Sequence, residues 1–484
     1  MDLMNNNIQN NKYKLKPIIK YAIQSRLFIW IISLLSHIFV NEHDSSASLI
    51  LSDNSQSYST LDQIIIYIFG VFVRWDSFFF YHIAENGYIY EQETAFFPFL
   101  PYMMRILSNT ILYPLQFILN YKCVLLISGV LIVNLSFILA TITLYKLGIK
   151  IFNDEKFSKI AAICYCLTPS GMFSTAIYTE SLFAFLTFLG MEKMVDKKYF
   201  QAALIWMITT LTRSNAITYV GFFGYEMLQS SEFKKIANYV YQLVMRKNTS
   251  SHFETINVKR LLKSVLKFIV YSCIVILGLV LFQFYGYKKF CLDVKDENGN
   301  FIRPWCENKL PLLYSFVQIE YWNCGFMRYY TINNIPNFFL AIPMITISIC
   351  GIISYCKYDW HRMLTLGLVN IGNDKMKKLD ISRTYYSSYL LPHIILWIFL
   401  VLYCCTSMHI QVITRFFSSV PTLYWFVAWL IYSHNEFKIN TDKVNNNSNS
   451  SSSNGRNWGY IILYYFIFYG ILGVVLFTAF YPPA

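Results

Sequence analysis

Long apolar runs separated by short polar segments dominate the chain. They recur at 20–41, 122–145, 160–177, 179–193, 199–230, 264–287, 336–356, 384–406, 411–433 and 458–481. A helix needs about 20 apolar residues to cross a bilayer, so this pattern predicts membrane spans. Two of the runs are ambiguous. The run 199–230 is interrupted at Thr212 to Asn215, so it reads as two short helices or one broken one, and 179–193 is short for a span. A further run, 64–73, is too short to cross and reads as an interfacial or re-entrant piece. Together the runs predict an all-α polytopic membrane protein with about eleven spans, in a range of about eight to twelve.

Charge orders these runs across the membrane. Lys12, Lys14, Lys16 and Lys20 precede the first run, which places the N-terminus in the cytosol. The segment 41–121 holds eight acids (Glu42, Asp44, Asp53, Asp62, Asp76, Glu85, Glu91 and Glu93) against Arg74 and Arg105, so it belongs on the opposite side. Segment 231–267 reverses the balance, with eight Lys or Arg against two Glu, and 357–383 carries Lys357, Arg362, Lys375, Lys377, Lys378 and Arg383. Both read as cytosolic, which requires 199–230 to cross twice. The loop 288–335 then shares the far side with 41–121. The domain reading is a tail at 1–19, a transmembrane domain at 20–433, a low-complexity Asn/Ser loop at 434–457 and a last span in 458–484.

Composition narrows the class. The chain has 484 residues, 55% hydrophobic and only 14% charged, too little charge to cover a soluble protein of this length. The net charge of +13 lies in the loops between apolar runs, which argues for topology and against nucleic-acid binding. No internal repeat points to a transporter built from duplicated halves. The sequon at Asn248 and those in the tract 444–454 fall in cytosolic loops, where they would stay unmodified. Most cysteines lie within apolar runs and pack as small side chains. Cys291 and Cys306 share the polar far-side loop, where a disulfide and two free thiols are both open readings. No Cys or His spacing suggests a metal site.

Three groups of polar residues need a reason to be there. The first is Arg74, Trp75 and Asp76, followed by His82, Glu85, Glu91 and Glu93 and then by an aromatic stretch with Pro98 and Pro101. One reading is an Arg74–Asp76 pair at the headgroup level with Trp75 as an interfacial anchor. The other is a carboxylate among aromatics poised as a base, with Asp76 and His82 facing one cleft if 74–87 is helical. The prolines favour a rigid, irregular wall. The second group is ionisable residues at membrane depth: Glu180, Arg213, His409 and Arg415. Such residues are costly and mark either a functional site or a structural pair, such as Glu180 with Arg213. Arg213 and Arg415 suit phosphate oxygens. The third is the loop 288–335, which reads as interfacial helices acting as a lid or platform, or simply packing on the bundle. Glu320, Trp322, Asn323 and Arg328 are its candidate contacts.

Six stretches carry a resemblance. "RWD", "IAENGY" and "AFFPFLP" after the first span, "TPSGMFSTAIYTESLFAFLTFLG" at 168–190, the aromatic loop at 305–343 and "MHIQVITRFFSS" at 408–419 are similar to the GPI mannosyltransferase 2 family. The likeness runs from about residue 20 to the C-terminus. It implies a GT-C-type glycosyltransferase of the endoplasmic reticulum membrane with a luminal active site. The implied donor is dolichyl-phosphate mannose, and the implied acceptor is a monomannosylated GPI-precursor glycolipid. The reaction would be an inverting α1,6 transfer of the second mannose, without a cofactor. No cluster of acids in the sequence demands a divalent ion, so metal independence is expected. The resemblance makes Asp76 the candidate base. Arg74, Trp75, His82, Glu91, Glu93, Glu180, Arg213, Trp322, Asn323, Arg328, His409 and Arg415 are candidates for donor or acceptor binding. It does not place a second acid. Membrane lipids are implied partners, and this class often works with a small partner subunit. Another lipid-linked-sugar transferase, a transporter, or a non-enzymatic complex subunit are the alternatives.

Overall fold

A computed structural model of the chain describes residues 13–43, 58–245, 255–295, 299, 301–369, 385–445 and 457–482. Asn248, the tract from 446, Asp44, Asp53 and the basic cluster Lys375 to Arg383 lie outside them. Among the described residues all regular secondary structure is helical, apart from one isolated bridge between Lys295 and Phe301. Among the described residues six helices are long and apolar enough to cross a membrane: Leu15–Phe39, Tyr121–Phe152, Val258–Leu292, Ile332–Tyr358, Ser388–Ser407 and Trp458–Thr478. A seventh crossing arises if Ile410–Ser419 and Pro421–His434, bent by 80°, count as one span.

Among the described residues the expected eleven spans are therefore not found, and helix length explains the difference. Glu180–Val195 has 16 residues, which at 1.5 Å per residue is ~24 Å against a hydrocarbon core of about 30 Å. The run 199–230 becomes Tyr199–Thr210 and Val220–Leu228, of 12 and 9 residues. Neither piece is long enough to cross alone. The run 160–177 becomes Glu155–Cys166 followed by a non-helical stretch. Hydropathy counts these runs as spans because they are apolar. In the fold they are short helices packed against the long ones.

Packing centres on Tyr121–Phe152, which lies against Glu180–Val195, Glu155–Cys166 and Phe99–Asn109. Tyr199–Thr210 fills the groove between Glu180–Val195 and Val258–Tyr287. Gly190 makes this approach possible, because a Cβ there would run into the indole of Trp206.

The segment after the first span is ordered by its polar residues. Ser59 and Asp62 form a capping box that starts Thr60–Phe69. Asp62 Oδ1 also accepts from the Asn120 backbone, tying this helix to the start of Tyr121–Phe152. Helix Ser77–Asn86 ends at Gly87, whose φ of 79° suits glycine. Pro98 and Pro101 do not build an irregular wall. Pro98 is the N-cap of Phe99–Asn109 and Pro101 sits in its first turn, where the missing N–H would have no helical partner anyway.

The loop 288–335 folds over this segment. It contains Pro304–Glu307 and the helix Leu313–Glu320, which packs on Glu91–Ala95 and on Val258–Tyr287 and buries Leu313 and Val317. Cys291 and Cys306 are joined by a disulfide.

Candidate active site

Asp76 occupies the N-cap of Ser77–Asn86, a position where an aspartate normally accepts from the helix N–H groups. It makes no such bond. Its Oδ2 instead accepts from Nη1 of Arg415 at 3.1 Å, a residue 339 positions away. The residue before it, Trp75, has φ of 56°. A non-glycine residue in the left-handed region costs about 1–2 kcal/mol and needs the surrounding structure to hold it. The turn separates the neighbours. Arg74 points inward to Glu42 at 2.8 Å and lies over the Phe480 ring, while the Asp76 side chain stays 37% exposed. The expected Arg74–Asp76 pair is thus absent, because the left-handed residue between them turns the two side chains apart.

Arg415 connects Asp76 to a second carboxylate. Its Nε donates to Oε1 of Glu180 at 2.7 Å, and Arg213 Nη1 approaches the same oxygen at 3.1 Å. Two carboxylates and two guanidiniums therefore alternate in the order Asp76, Arg415, Glu180, Arg213. The Glu180 side chain is fully buried, and its Oε2 has no hydrogen-bond partner among the described residues. Aromatic faces hold both cations. Arg415 lies over Phe173 and Tyr178, and Arg213 over Phe183 and Phe416. Such contacts are worth more where water is excluded. Among the described residues, Nη2 of Arg415 has no hydrogen-bond acceptor and Oδ1 of Asp76 no donor. The cluster thus keeps a donor on Arg415 and acceptors on Asp76 and Glu180 in hand.

The stretch 168–180 assembles this cluster. It is non-helical up to Glu180 and buried along its whole length. Its backbone meets the Asp76 region directly: Ile177 N donates to the Phe72 carbonyl, and the Tyr178 hydroxyl to that of Arg74. Phe173, Tyr178 and Glu42 are the site residues that the sequence reading missed. The Pro-Ser-Gly break followed by an acid was the available signal for the first two. Nothing near Glu42 in the sequence points to Arg74.

The remaining acids do different work. Glu93 is almost fully buried and pairs with His82 Nδ1 at 2.5 Å, while its other oxygen accepts from the Ile89 and Tyr90 backbones. The hydrogen bond to Glu93 raises the His82 pKa, against burial. Burial pushes the Glu93 carboxyl up, but the bonds from His82, Tyr90 and Ile89 outweigh it and leave the pKa lowered. His82 and Asp76 do not share partners: six positions apart on one helix, they face different neighbours. Glu91 binds the folded-over loop, accepting from Arg303 Nε at 2.5 Å, the Tyr321 hydroxyl at 2.8 Å and Trp305 Nε1 at 3.3 Å. Trp322 packs on Phe79 and Phe96, and its carbonyl meets His409 Nε2 at 2.7 Å. His409 also stacks on Tyr329. Glu320, Asn323 and Arg328 are exposed on this loop, with Asn323 at φ 49°. The structure thus gathers Asp76, Glu180, Arg213 and Arg415 in one cluster. Glu91 and Trp322 join the two loops, His82 and Glu93 brace the first of them from within, and His409 ties Trp322 to the segment 408–419.

The family model described as "Mannosyltransferase (PIG-V)" matches residues 15–484. The chain belongs to this mannosyltransferase family. It is therefore a glycosyltransferase and a multi-pass membrane protein. It is 29% identical to the GPI alpha-1,6-mannosyltransferase 2 of Cricetulus griseus, across 96% of this chain and 98% of that protein. Against the GPI mannosyltransferase 2 of Schizosaccharomyces pombe it is 30% identical, across 98% of this chain and 86% of that protein. Among solved structures, a crystal structure of the Archaeoglobus fulgidus oligosaccharyltransferase aligns with a TM-score of 0.41 at 11% identity, over 94% of this chain and 55% of that one. That likeness is too distant to carry any residue across.

Proposed function

We propose that this mannosyltransferase adds the second mannose of the GPI precursor, in an α1,6 linkage, at the luminal face of the endoplasmic reticulum. The donor is dolichyl-phosphate mannose and the acceptor a monomannosylated glycolipid. The names of the relatives support the activity, and the disulfide Cys291–Cys306 supports an oxidising, luminal side for the loop over the site. The fold assignment that goes with this reading is GT-C. A small membrane subunit working with the enzyme belongs to the same reading, and co-purification tests it.

One observation carries the choice of base: Asp76 sits at a helix cap without capping and keeps an open oxygen beside a fixed cation. In the transfer, the acceptor 6-hydroxyl oxygen forms the bond to the anomeric carbon. The bond from that carbon to the phosphate oxygen breaks, and its electron pair leaves with dolichyl phosphate. The hydroxyl proton goes to Asp76. A β-linked donor then yields an α-linked product. A positioned base contributes roughly 10²–10⁴-fold. The Arg415 guanidinium, with Nη2 still available, is suited to the charge developing on the phosphate. The reaction as written draws on no metal or cofactor.

Complementation of cells that lack second-mannose addition tests the proposal. Wild type is expected to restore surface GPI-anchored proteins and Asp76→Asn to fail at equal expression. Full rescue by both Asp76→Asn and Asp76→Ala would remove Asp76 as the base. Failure of a normally folded wild type would remove the acceptor assignment.

A further inference from the structure

Arg26 lies within the first long apolar helix, 5% exposed, and no carboxylate among the described residues pairs with it. Its Nη1 donates to the Gly171 carbonyl and the Thr175 hydroxyl, its Nη2 to the Ser25 hydroxyl, and its Cζ sits over Phe137. Neutral acceptors do not offset the charge, and Nε has no acceptor among the described residues. An unpaired cation at membrane depth is expensive, so an anion is the missing partner.

There is room for one. Arg26 lines a cleft of about 450 Å³ between Leu15–Phe39, Trp458–Thr478 and the segment 166–171. The two helices are candidate spans that pack together. Tyr21 and Phe28 stand exposed at the rim, so the mouth opens towards lipid. Elsewhere the walls are mainly apolar, with Ile29, Ile163 and Phe466 among them. Gly470 keeps the last helix close to the Thr168 carbonyl, and a larger residue there would fill the space. A buried guanidinium in a mainly apolar, lipid-facing cleft fits an amphiphile with one anionic head.

We propose that this cleft binds an anionic membrane phospholipid, its phosphate on Arg26 and an acyl chain along the apolar wall. The site is separate from the Asp76 cluster but backs onto the same stretch, since Gly171 and Thr175 meet Arg26 while Phe173 and Tyr178 cradle Arg415. A bound lipid would brace that stretch from behind.

The test uses the full-length protein purified in a zwitterionic detergent. Dioleoyl phosphatidate, phosphatidylinositol, phosphatidylcholine and oleate are added separately. Thermal unfolding and native mass spectrometry read the outcome. Phosphatidate and phosphatidylinositol are expected to raise the melting temperature and remain as a one-lipid adduct, and phosphatidylcholine to do neither. Arg26→Gln is expected to weaken the anionic adduct by about 10-fold or more, the loss of charge-assisted bonds to one phosphate. If that variant does not fold, Gly470→Leu leaves the cation in place, fills the cleft and is expected to lose the adduct. An equal response to phosphatidylcholine, an unchanged adduct in Arg26→Gln or in Gly470→Leu, or a response to oleate without one to phosphatidate would overturn the proposal.

Discussion

Replacing Glu180 by Gln separates the structural from the chemical part of the cluster. The substitution keeps the shape of the side chain and removes one charge from the centre of four. Glu180 is fully buried and accepts from Arg415 at 2.7 Å and from Arg213 at 3.1 Å. Breaking a buried ion pair by removing one partner costs about 3–5 kcal/mol. The glutamine carbonyl keeps one acceptor, so we expect the lower end, about 3 kcal/mol. Asp76→Asn is the control. That side chain is 37% exposed, so water screens its pair with Arg415 and the expected loss is at most about 1 kcal/mol. Thermal unfolding, followed by a thiol-reactive dye on the buried Cys164 and Cys404, ranks the two. The expected order is a large drop in melting temperature for Glu180→Gln and a small one for Asp76→Asn, with activity lost in both. A Glu180→Gln protein as stable as wild type, or less damaged than Asp76→Asn, would refute the view that Glu180 anchors both arginines.

Three further outcomes follow from named contacts. The contribution of His82, whose pKa is raised, is complete below its unfolded value near 6.5 and is lost as pH climbs through the raised value. That of Glu93, whose pKa is lowered, is complete above about 4.5 and lost as pH falls through the lowered value. Hydrogen-exchange protection around 88–96 is therefore expected to fall on the alkaline side, and His82→Phe to abolish that dependence. Serine at both Cys291 and Cys306 should cost up to about 3 kcal/mol for a loop of this length, read as earlier proteolysis of 288–335. Gly190→Ala should destabilise by pushing its new methyl into the Trp206 indole, with Trp206→Phe as the partial rescue, read by melting temperature.

The long helices were legible because hydropathy and length agree in them. The run 122–145 sits inside Tyr121–Phe152, and 458–481 overlaps Trp458–Thr478. The short ones were not. Apolar composition reports burial, and a helix buried in protein looks the same as one bathed in lipid. Asp76 could be singled out as an unusual acid, but its partner could not. Arg415 is 339 positions away and Glu180 a further helix apart. One reading of the sequence paired Asp76 with Arg74 because they are near neighbours, and the left-handed Trp75 that separates them leaves no mark on composition.

The irregular stretch 168–180 explains why polar residues recur inside apolar helices. Backbone outside a helix has carbonyl and N–H groups that lipid cannot satisfy, so other parts of the chain must supply partners. Asn134, in the middle of Tyr121–Phe152, donates to the Thr175 carbonyl. Arg26, in the first span, donates to that of Gly171, and Ser181 reaches back to that of Ser174. Each lies in a helix whose hydropathy would favour an aliphatic residue there. Their polarity is the counterpart of a non-helical turn that brings Phe173, Tyr178 and Glu180 around one arginine. Asn134→Leu would improve the hydropathy of its helix yet strip the Thr175 carbonyl of a donor. We expect it to lower stability by about 1–3 kcal/mol. A more stable Asn134→Leu protein would mean that this stretch is held by packing alone.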